Sequence, residues 1–341
     1  MRHVPFFGSW DFQKSYLAVD LFFILSGVVI ANAYQKRLKT DLSPAQFILM
    51  RIVRIYPLYL LGCTVTATYW IASGEFPSGN MLVIAASALL LIPNLSSRNN
   101  PFPLNGPAWS LFSEMLANVF YAYTVSRLNR KNLLSIMGIS AAWMAYVIWT
   151  HHDLNVGFYT RDILSGLCRV AYSFSAGVLL HRIFYQHALQ RYATAIRGSS
   201  TPWLILLIVA ILLTVSLRGE THGVYDMICV TVVFPALVLA AMVFNPCGKS
   251  ASVFKFLGVV SYPVYSLHSP VAKWIPIAVD VNSANIHSHP LALGIAFVAV
   301  LVPLSWLLDK YYDIPFRKIA LPFGFSCLAR IRSAKIMAAT K

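Results

Sequence analysis

Charged residues are scarce in this chain. They occupy 11% of the 341 positions, while hydrophobic residues occupy 58%, and soluble proteins carry roughly 25% charged residues. A soluble domain of this size could not cover its core with so few charges. Several apolar stretches reach the roughly 20 residues that a bilayer crossing requires. The composition therefore excludes an ordinary soluble protein and predicts an integral membrane protein.

The sequence also lacks the alternating strands of about ten residues that are typical of membrane β-barrels. We therefore predict an all-α, polytopic helix bundle with about nine to ten transmembrane segments. Nine apolar segments are expected to cross the membrane: 17–34, 55–73, 107–125, 133–150, 163–183, 202–217, 225–244, 256–274 and 290–309. A shorter apolar stretch at 81–93 ends in Pro93 and is expected to be a partial span.

Paired cysteines are missing as well. The five cysteines are scattered without a CxxC motif, so the sequence implies neither a disulfide framework nor a zinc site, and we expect no bound metal. The first sixteen residues have no apolar core, so they do not resemble a cleavable signal peptide. No nucleic-acid recognition motif is present either, so the net charge of +15 does not predict nucleic-acid binding.

The basic residues follow the positive-inside pattern. Residues 35–54 and the tail from Lys310 are basic, while loop 74–80 contains no Lys or Arg, so we expect the basic segments to be cytoplasmic. We predict one membrane domain, residues 1–320, and a basic cytoplasmic tail, residues 321–341. Two sequences predict helix starts, because a capping residue precedes a proline: Ser43-Pro44 and Asn105-Gly106-Pro107.

Asp20, Glu114 and Arg169 are ionisable residues that lie inside apolar segments. Ionised groups at membrane depth are costly, so they mark candidate functional sites. A structural ion pair is the alternative explanation for Glu114, and Asp20 lies near enough to a helix end to orient the backbone there.

Two arginines, Arg51 and Arg54, lie three residues apart and so share one helix face. Two guanidinium groups in this arrangement suit a phosphate-bearing ligand that arrives from the cytoplasm. The alternative is a pair of arginines that extend from a helix end to the membrane surface.

Hydroxyl and imidazole groups form two further alignments. Ser110 lies one turn before Glu114, next to Trp109. Tyr265 and His268 follow Ser261 on one stripe of a helix. Such alignments indicate either a polar path through the membrane or polar packing between helices.

Taken in order along the chain, these residues resemble the membrane acyltransferase-3 family, whose members O-acylate bacterial surface polysaccharides, lipopolysaccharide O-antigen and rhizobial lipo-oligosaccharide signals. The matching segments cover nearly the whole chain: His3, AVDLFFILSGVVI (18–30), RIVRIYP (51–57), AWSLFSE (108–114), RVAYSFSAGVLL (169–180), SYPVYSLHSP (261–270) and DIPFRK (313–318).

The resemblance implies an O-acyltransferase of the bacterial inner membrane. It would move an acyl group, most simply acetyl, from cytoplasmic acetyl-CoA to a hydroxyl of an exported, cell-envelope or lipid-linked saccharide, with no permanently bound cofactor. His3 matches the family's essential histidine, the expected base or acyl acceptor, and Arg51 and Arg54 match its paired arginines. The other matching positions are Asp20 and Glu114 as further catalytic candidates, Arg169 as a donor-binding candidate, and Ser26, Trp109, Ser110, Tyr265 and His268 as substrate or structural positions.

Two features depart from the family pattern. Only Met1 and Arg2 precede His3, so the first family helix is expected to be missing from these residues, and Asp313 stands where the family usually has Glu. Two alternatives therefore stay open beside the enzyme: a transporter or flippase of a glycan or charged substrate, and an inactive, truncated family member.

Overall fold

The computed structural model describes residues 14–96, 100–186, 201–215, 221–244, 246–278 and 290–339. After a 3₁₀ turn at Ser15–Leu17, these residues form α1 Ala18–Thr40, α2 Pro44–Ser73, α3 Met81–Leu89, α4 Ala108–Thr124, α5 Arg130–His151, α6 Ile163–Gln186, α7 Thr201–Thr214, α8 Thr221–Ile228, α9 Phe234–Val243, α10 Gly248–Ala272, α11 Ile275–Ala278, α12 Pro290–Leu308 and α13 Ile314–Ala339. No strand occurs in the described ranges. The predicted all-α class is confirmed.

Six helical stretches of the described chain are long and apolar enough to cross a membrane: Ser15–Thr40, Pro44–Ser73, Arg130–His151, Thr160–Tyr185, Thr221–Val243 and Leu291–Ile331. The chain is therefore a multi-pass membrane protein. The partial span expected at 81–93 corresponds to α3, which has only 9 residues and is too short to cross a bilayer. The expected number of crossings, about nine, stays a prediction.

Two helix starts illustrate how local sequence and tertiary contacts compete. Ser43 caps α2 as predicted: its hydroxyl accepts from the Gln46 backbone N–H, and the Gln46 side chain accepts from the Ser43 N–H at 3.0 Å. At α4 the predicted Asn105 cap is wrong, because Pro107 occupies the N-cap position. The Asn105 amide instead donates to the carbonyl of Ser266 on α10 at 3.1 Å.

Helix α2 differs from the expected span at 55–73, because it begins at Pro44 and continues through Pro57 as one helix of 30 residues. A proline inside a helix removes a backbone hydrogen bond. Neighbouring helices supply hydroxyl donors at this point: Tyr262 donates to the Ile55 carbonyl, and Tyr312 donates to the Pro57 carbonyl at 3.3 Å. These bonds link α2 to α10 and to the turn Asp309–Asp313 that follows α12.

The helices pack as two groups. In the first group, α6 packs against α1 and α5. In the second, α2 packs against α10 and α13, and α10 packs against α12. Helix α4 contacts both α2 and α6, so it joins the two groups.

Helices α1 and α6 approach very closely. A Cβ atom added to Gly27 would overlap the Phe174 carbonyl oxygen, and one added to Gly177 would overlap the Ile24 carbonyl oxygen. Small residues at such a crossing let two membrane helices pack backbone against backbone. This contact fixes the position of α1, the helix that carries Asp20 and Ser26.

Two π-helical turns interrupt otherwise continuous helices, at Cys229–Val233 between α8 and α9 and at Asp309–Asp313 between α12 and α13. Turns of this kind often occur at functional sites. Helix α13 runs without a break to Ala339, so the boundary expected at residue 320 falls inside a helix.

Candidate active site

A cavity of about 470 Å³ is lined by residues of α1, α2, α4 and α10. This volume lies in the range that is usual for ligand sites. Six of the predicted site residues line it: Ser26, Arg51, Arg54, Ser110, Glu114 and Tyr265. Ser261 and Tyr262, which lie on the same helix as Tyr265, line it too. The structure thus brings together groups that are far apart in the sequence.

The first polar cluster of the cavity joins α1, α2 and α4. Arg51 Nη2 donates to Glu114 Oε1 at 2.7 Å, and Ser26 Oγ donates to the same carboxylate oxygen at 3.1 Å. The side chains of Arg51 and Glu114 remain 16% and 20% exposed. The Nε of Arg51 is buried and has no hydrogen-bond partner among the described residues. This ion pair is therefore accessible from the cavity and is not fully hydrogen-bonded.

The second cluster contains a carboxylate that sequence reasoning did not assign to the site. Arg54 Nη1 lies 3.4 Å from Asp313 Oδ2, and its guanidinium lies 5.3 Å from the ring centre of Tyr262. Arg317 Nη2 approaches the same Asp313 oxygen at 2.7 Å and reaches Asp309 at 3.4 Å. The sequence singled out Asp313, in the segment DIPFRK, only as a departure from the family pattern. Nothing in the neighbouring sequence indicates that Asp313 faces α2.

Two hydroxyl groups form the third cluster. Those of Ser110 and Tyr265 hydrogen-bond each other, and both lie within reach of the Pro107 carbonyl, at 2.9 Å from Ser110 and 3.2 Å from Tyr265. Ser110 lies in the first turn of α4, one helical turn before Glu114, and Tyr265 lies on α10. A pair of hydroxyl groups beside a carboxylate suits the binding of a polar, hydroxyl-bearing substrate.

Two other predicted site residues, His268 and Trp109, do not line the cavity. His268 Nδ1 is 2.7 Å from the Tyr265 carbonyl oxygen, one turn earlier in α10. Trp109 is buried, and its ring lies 5.9 Å from the Arg169 guanidinium. His268 thus neighbours the backbone of Tyr265, and Trp109 lies next to the charged core described below.

Asp20 and Arg169 form a separate, fully buried ion pair. Arg169 donates to both carboxylate oxygens of Asp20, to the Val156 carbonyl at 2.8 Å and to the Tyr16 carbonyl at 3.0 Å. Ser173 also donates to Asp20. Neither charged residue lines the cavity. The geometry favours a structural function for the pair, while the catalytic function of Asp20 and the donor-binding function of Arg169 stay predictions.

A second buried ion pair was missed at the sequence level. Lys14 Nζ and Tyr16 Oη each donate to Asp226 at 2.5 Å, and the Leu154 N–H donates to it at 3.0 Å. The sequence did contain an indication of this pair, because Asp226 lies inside the predicted span 225–244, just as Asp20 lies inside 17–34.

The candidate base His3 lies outside the described residues. Within the described ranges, no group of three His, Cys, Asp or Glu side chains comes together in a way that could bind a metal ion.

Comparisons with known proteins identify the family of the chain. A family model described as an acyltransferase domain matches residues 3–310. The chain is 35% identical over 156 residues to protein 2 in the picA locus of Rhizobium radiobacter, a match that covers 41% of this chain and 82% of that protein.

The chain is also 23% identical over 340 residues to peptidoglycan O-acetyltransferase OatA of Listeria monocytogenes. That match covers 91% of this chain, which spans about half of OatA, 52% of its length. No solved structure matches the chain significantly. These matches confirm the predicted family and enzyme class: the chain belongs to the acyltransferase family and is a multi-pass membrane O-acyltransferase.

Proposed function

We propose that the protein transfers an acetyl group from cytoplasmic acetyl-CoA to a hydroxyl of an exported or cell-envelope saccharide, and that it does so in the bacterial inner membrane with α13 on the cytoplasmic side. The observation that carries this proposal is the cavity of about 470 Å³, in which two arginines, a carboxylate and the hydroxyls of Ser110 and Tyr265 lie on three different helices.

The donor end of the cavity is proposed at the arginines. Coenzyme A carries several phosphate charges, and guanidinium groups bind phosphate oxygens through charge-assisted hydrogen bonds. Arg51 and Arg54 lie in the first half of α2, which follows the basic end of α1. The positive-inside rule therefore supports a cytoplasmic position for this part of the chain.

The acceptor end is proposed where Ser110, at the start of α4, meets Tyr265 of α10. Their hydroxyls can exchange the Pro107 carbonyl for a hydroxyl of the acceptor, because both already share that single acceptor. OatA is by name a peptidoglycan acetyltransferase, which supports a saccharide of the cell envelope as acceptor and acetyl as the transferred group.

The chemistry we propose is direct transfer. A base removes the proton of the acceptor hydroxyl while its oxygen attacks the thioester carbonyl carbon; the C–S bond then breaks, and the proton passes to the departing thiolate of CoA. Among the described residues, Glu114 is the candidate base at the cavity, and by the family resemblance His3 is the other. Base catalysis of this kind contributes roughly 10²–10⁴-fold, and positioning of the two substrates contributes the remainder.

The test uses the purified full chain in lipid nanodiscs with radiolabelled acetyl-CoA, followed by mass spectrometry of envelope saccharides from wild-type and deletion cells. We expect the protein to release free CoA when the acceptor is present, and the deletion cells to lose one class of O-acetyl groups. Unchanged envelope acetylation together with no CoA release would contradict the proposal. Transport of a saccharide without acetylation would support the transporter instead.

A further inference from the structure

We propose that Asp313 and Arg317 form an exchange pair that controls how readily Arg54 binds the donor: Asp313 is the resident counter-ion of Arg54, and Arg317 takes over Asp313 when a donor phosphate binds Arg54. This inference rests on the proposed function, because it concerns an anionic donor in the same cavity. Neither Asp313 nor Arg317 lines the cavity, so both would act as positioning residues.

The charges of the cluster balance in the absence of a donor. Three arginines, Arg51, Arg54 and Arg317, are paired with three carboxylates, Glu114, Asp309 and Asp313. A site with no net charge does not attract a phosphate strongly. An anionic donor therefore has to replace at least one resident carboxylate as the partner of an arginine.

The distances indicate which ion pair opens first. Arg54 lies 3.4 Å from Asp313, whereas Arg51 lies 2.7 Å from Glu114. The Arg54 side chain is also the most exposed of the three arginines, at 32% against 16% for Arg51 and 24% for Arg317. Arg54 is therefore the cation that is both most weakly paired and most accessible from the cavity.

Arg317 explains why Asp313 can release Arg54. Asp313 is fully buried, and a buried carboxylate that is left without any cation carries a large desolvation cost. Arg317 already binds the same oxygen at 2.7 Å. The other oxygen, Oδ1, is buried and without a hydrogen-bond partner among the described residues, so it remains available for a second bond from the Arg317 guanidinium.

The backbone holds these groups together. Asp309 and Asp313 begin and end the π-helical turn between α12 and α13, and both are buried. Arg317 lies four residues after Asp313 on the next helical turn. Tyr312 in the same turn donates to the Pro57 carbonyl of α2, which fixes the turn next to the helix that carries Arg54.

The experiment measures CoA affinity by calorimetry on the detergent-solubilised full chain. Its variants are Asp313→Asn, Arg317→Met, the double variant, and the control Lys318→Met, which removes one exposed charge from the next position. Thermal unfolding of each variant confirms that it is folded. We expect Asp313→Asn to bind CoA roughly threefold to tenfold more tightly and Arg317→Met to bind it weaker by a similar factor.

The double variant is the decisive one. If Arg317 acts only through Asp313, the double variant binds CoA like Asp313→Asn, and Lys318→Met binds it like the wild type. A weakening by Arg317→Met that persists without the Asp313 carboxylate would reveal a general charge effect and overturn the proposal. Weaker or unchanged binding by a folded Asp313→Asn would also overturn it.

If Asp313→Asn does not fold, the CoA affinities of Arg317→Lys and Arg317→Met are compared instead. The exchange pair requires the lysine to recover most of the lost affinity, and equal losses in both variants would overturn it. A wild-type protein that does not bind CoA at all would instead remove the donor part of the proposed function, and this inference with it.

Discussion

The ion pair of Asp20 and Arg169 and the ion pair of Arg51 and Glu114 consist of the same chemical groups in different surroundings. In the first pair the side chains are 0% and 1% exposed, and each of the three guanidinium nitrogens of Arg169 donates a hydrogen bond. In the second, Arg51 is 16% and Glu114 20% exposed, and the buried Nε of Arg51 has no hydrogen-bond partner in the described chain. A closed, fully hydrogen-bonded pair stabilises the bundle, whereas an open, incompletely bonded pair can exchange partners with a ligand.

The largest expected effect on stability follows from breaking the buried ion pair of Asp20 and Arg169. Arg169→Ala leaves the Asp20 carboxylate buried and unpaired, which costs roughly 3–5 kcal/mol. We therefore expect little folded protein, measured as the yield of monodisperse protein in detergent and by its thermal unfolding.

Arg161→Ala is the control for Arg169→Ala, since Arg161 is exposed and its removal should change stability by no more than about 0.5 kcal/mol. A normal yield and melting temperature for Arg169→Ala would contradict the structural function of the pair. If a folded Asp20→Asn variant binds CoA normally but does not transfer acetyl, the predicted catalytic function of Asp20 is supported instead.

The packing of α1 against α6 gives the next largest effect. Gly177→Ala places a methyl group against the Ile24 carbonyl and should destabilise the protein by about 1–3 kcal/mol, because neither backbone can move away. The matched control is Gly138→Ala in α5, which meets no atom within 4 Å and should be neutral or stabilising by up to about 1 kcal/mol. Equal melting temperatures of the two variants would show that the α1–α6 contact is not tight.

Removing one partner of the Arg51–Glu114 ion pair should affect CoA binding rather than folding. We expect Arg51→Met to weaken CoA binding by about tenfold or more, because it removes a charge-assisted hydrogen bond to phosphate, while the melting temperature stays close to that of the wild type. Lys39→Met removes an exposed charge from the same end of the bundle and should leave the affinity unchanged. A clearly lower melting temperature of Arg51→Met, together with normal CoA affinity, would reverse the comparison between the two pairs.

The smallest effect is expected at the acceptor end. Tyr265→Phe removes a hydroxyl that bonds Ser110 and the Pro107 carbonyl, so we expect the rate of transfer to fall roughly threefold to tenfold with CoA affinity unchanged. The exposed Tyr123 of α4 provides the control, Tyr123→Phe. Reduced CoA affinity in Tyr265→Phe would place this hydroxyl at the donor end.

The amino-acid sequence predicted the helical class, the family and most of the polar residues that line the cavity. Arg51 and Arg54 were predictable because a spacing of three residues fixes a shared helix face, and Glu114 because a charge in an apolar segment is costly. The partners could not be predicted, because Arg54 and Asp313 are separated by 259 positions and only the packing of α13 against α2 brings them together. The Asn105 cap was wrong for a similar reason: the Asn105 Nδ2 donates to the Ser266 carbonyl of α10, and its Oδ1 accepts from no N–H of the described residues.

The most direct test of the donor site is an electron cryo-microscopy structure of the full chain with CoA bound. The account predicts CoA phosphates in the cavity within hydrogen-bonding distance of Arg54 and Arg51, and Asp313 bound by Arg317 alone. CoA bound elsewhere, with both Arg51–Glu114 and Arg54–Asp313 unchanged, would contradict it.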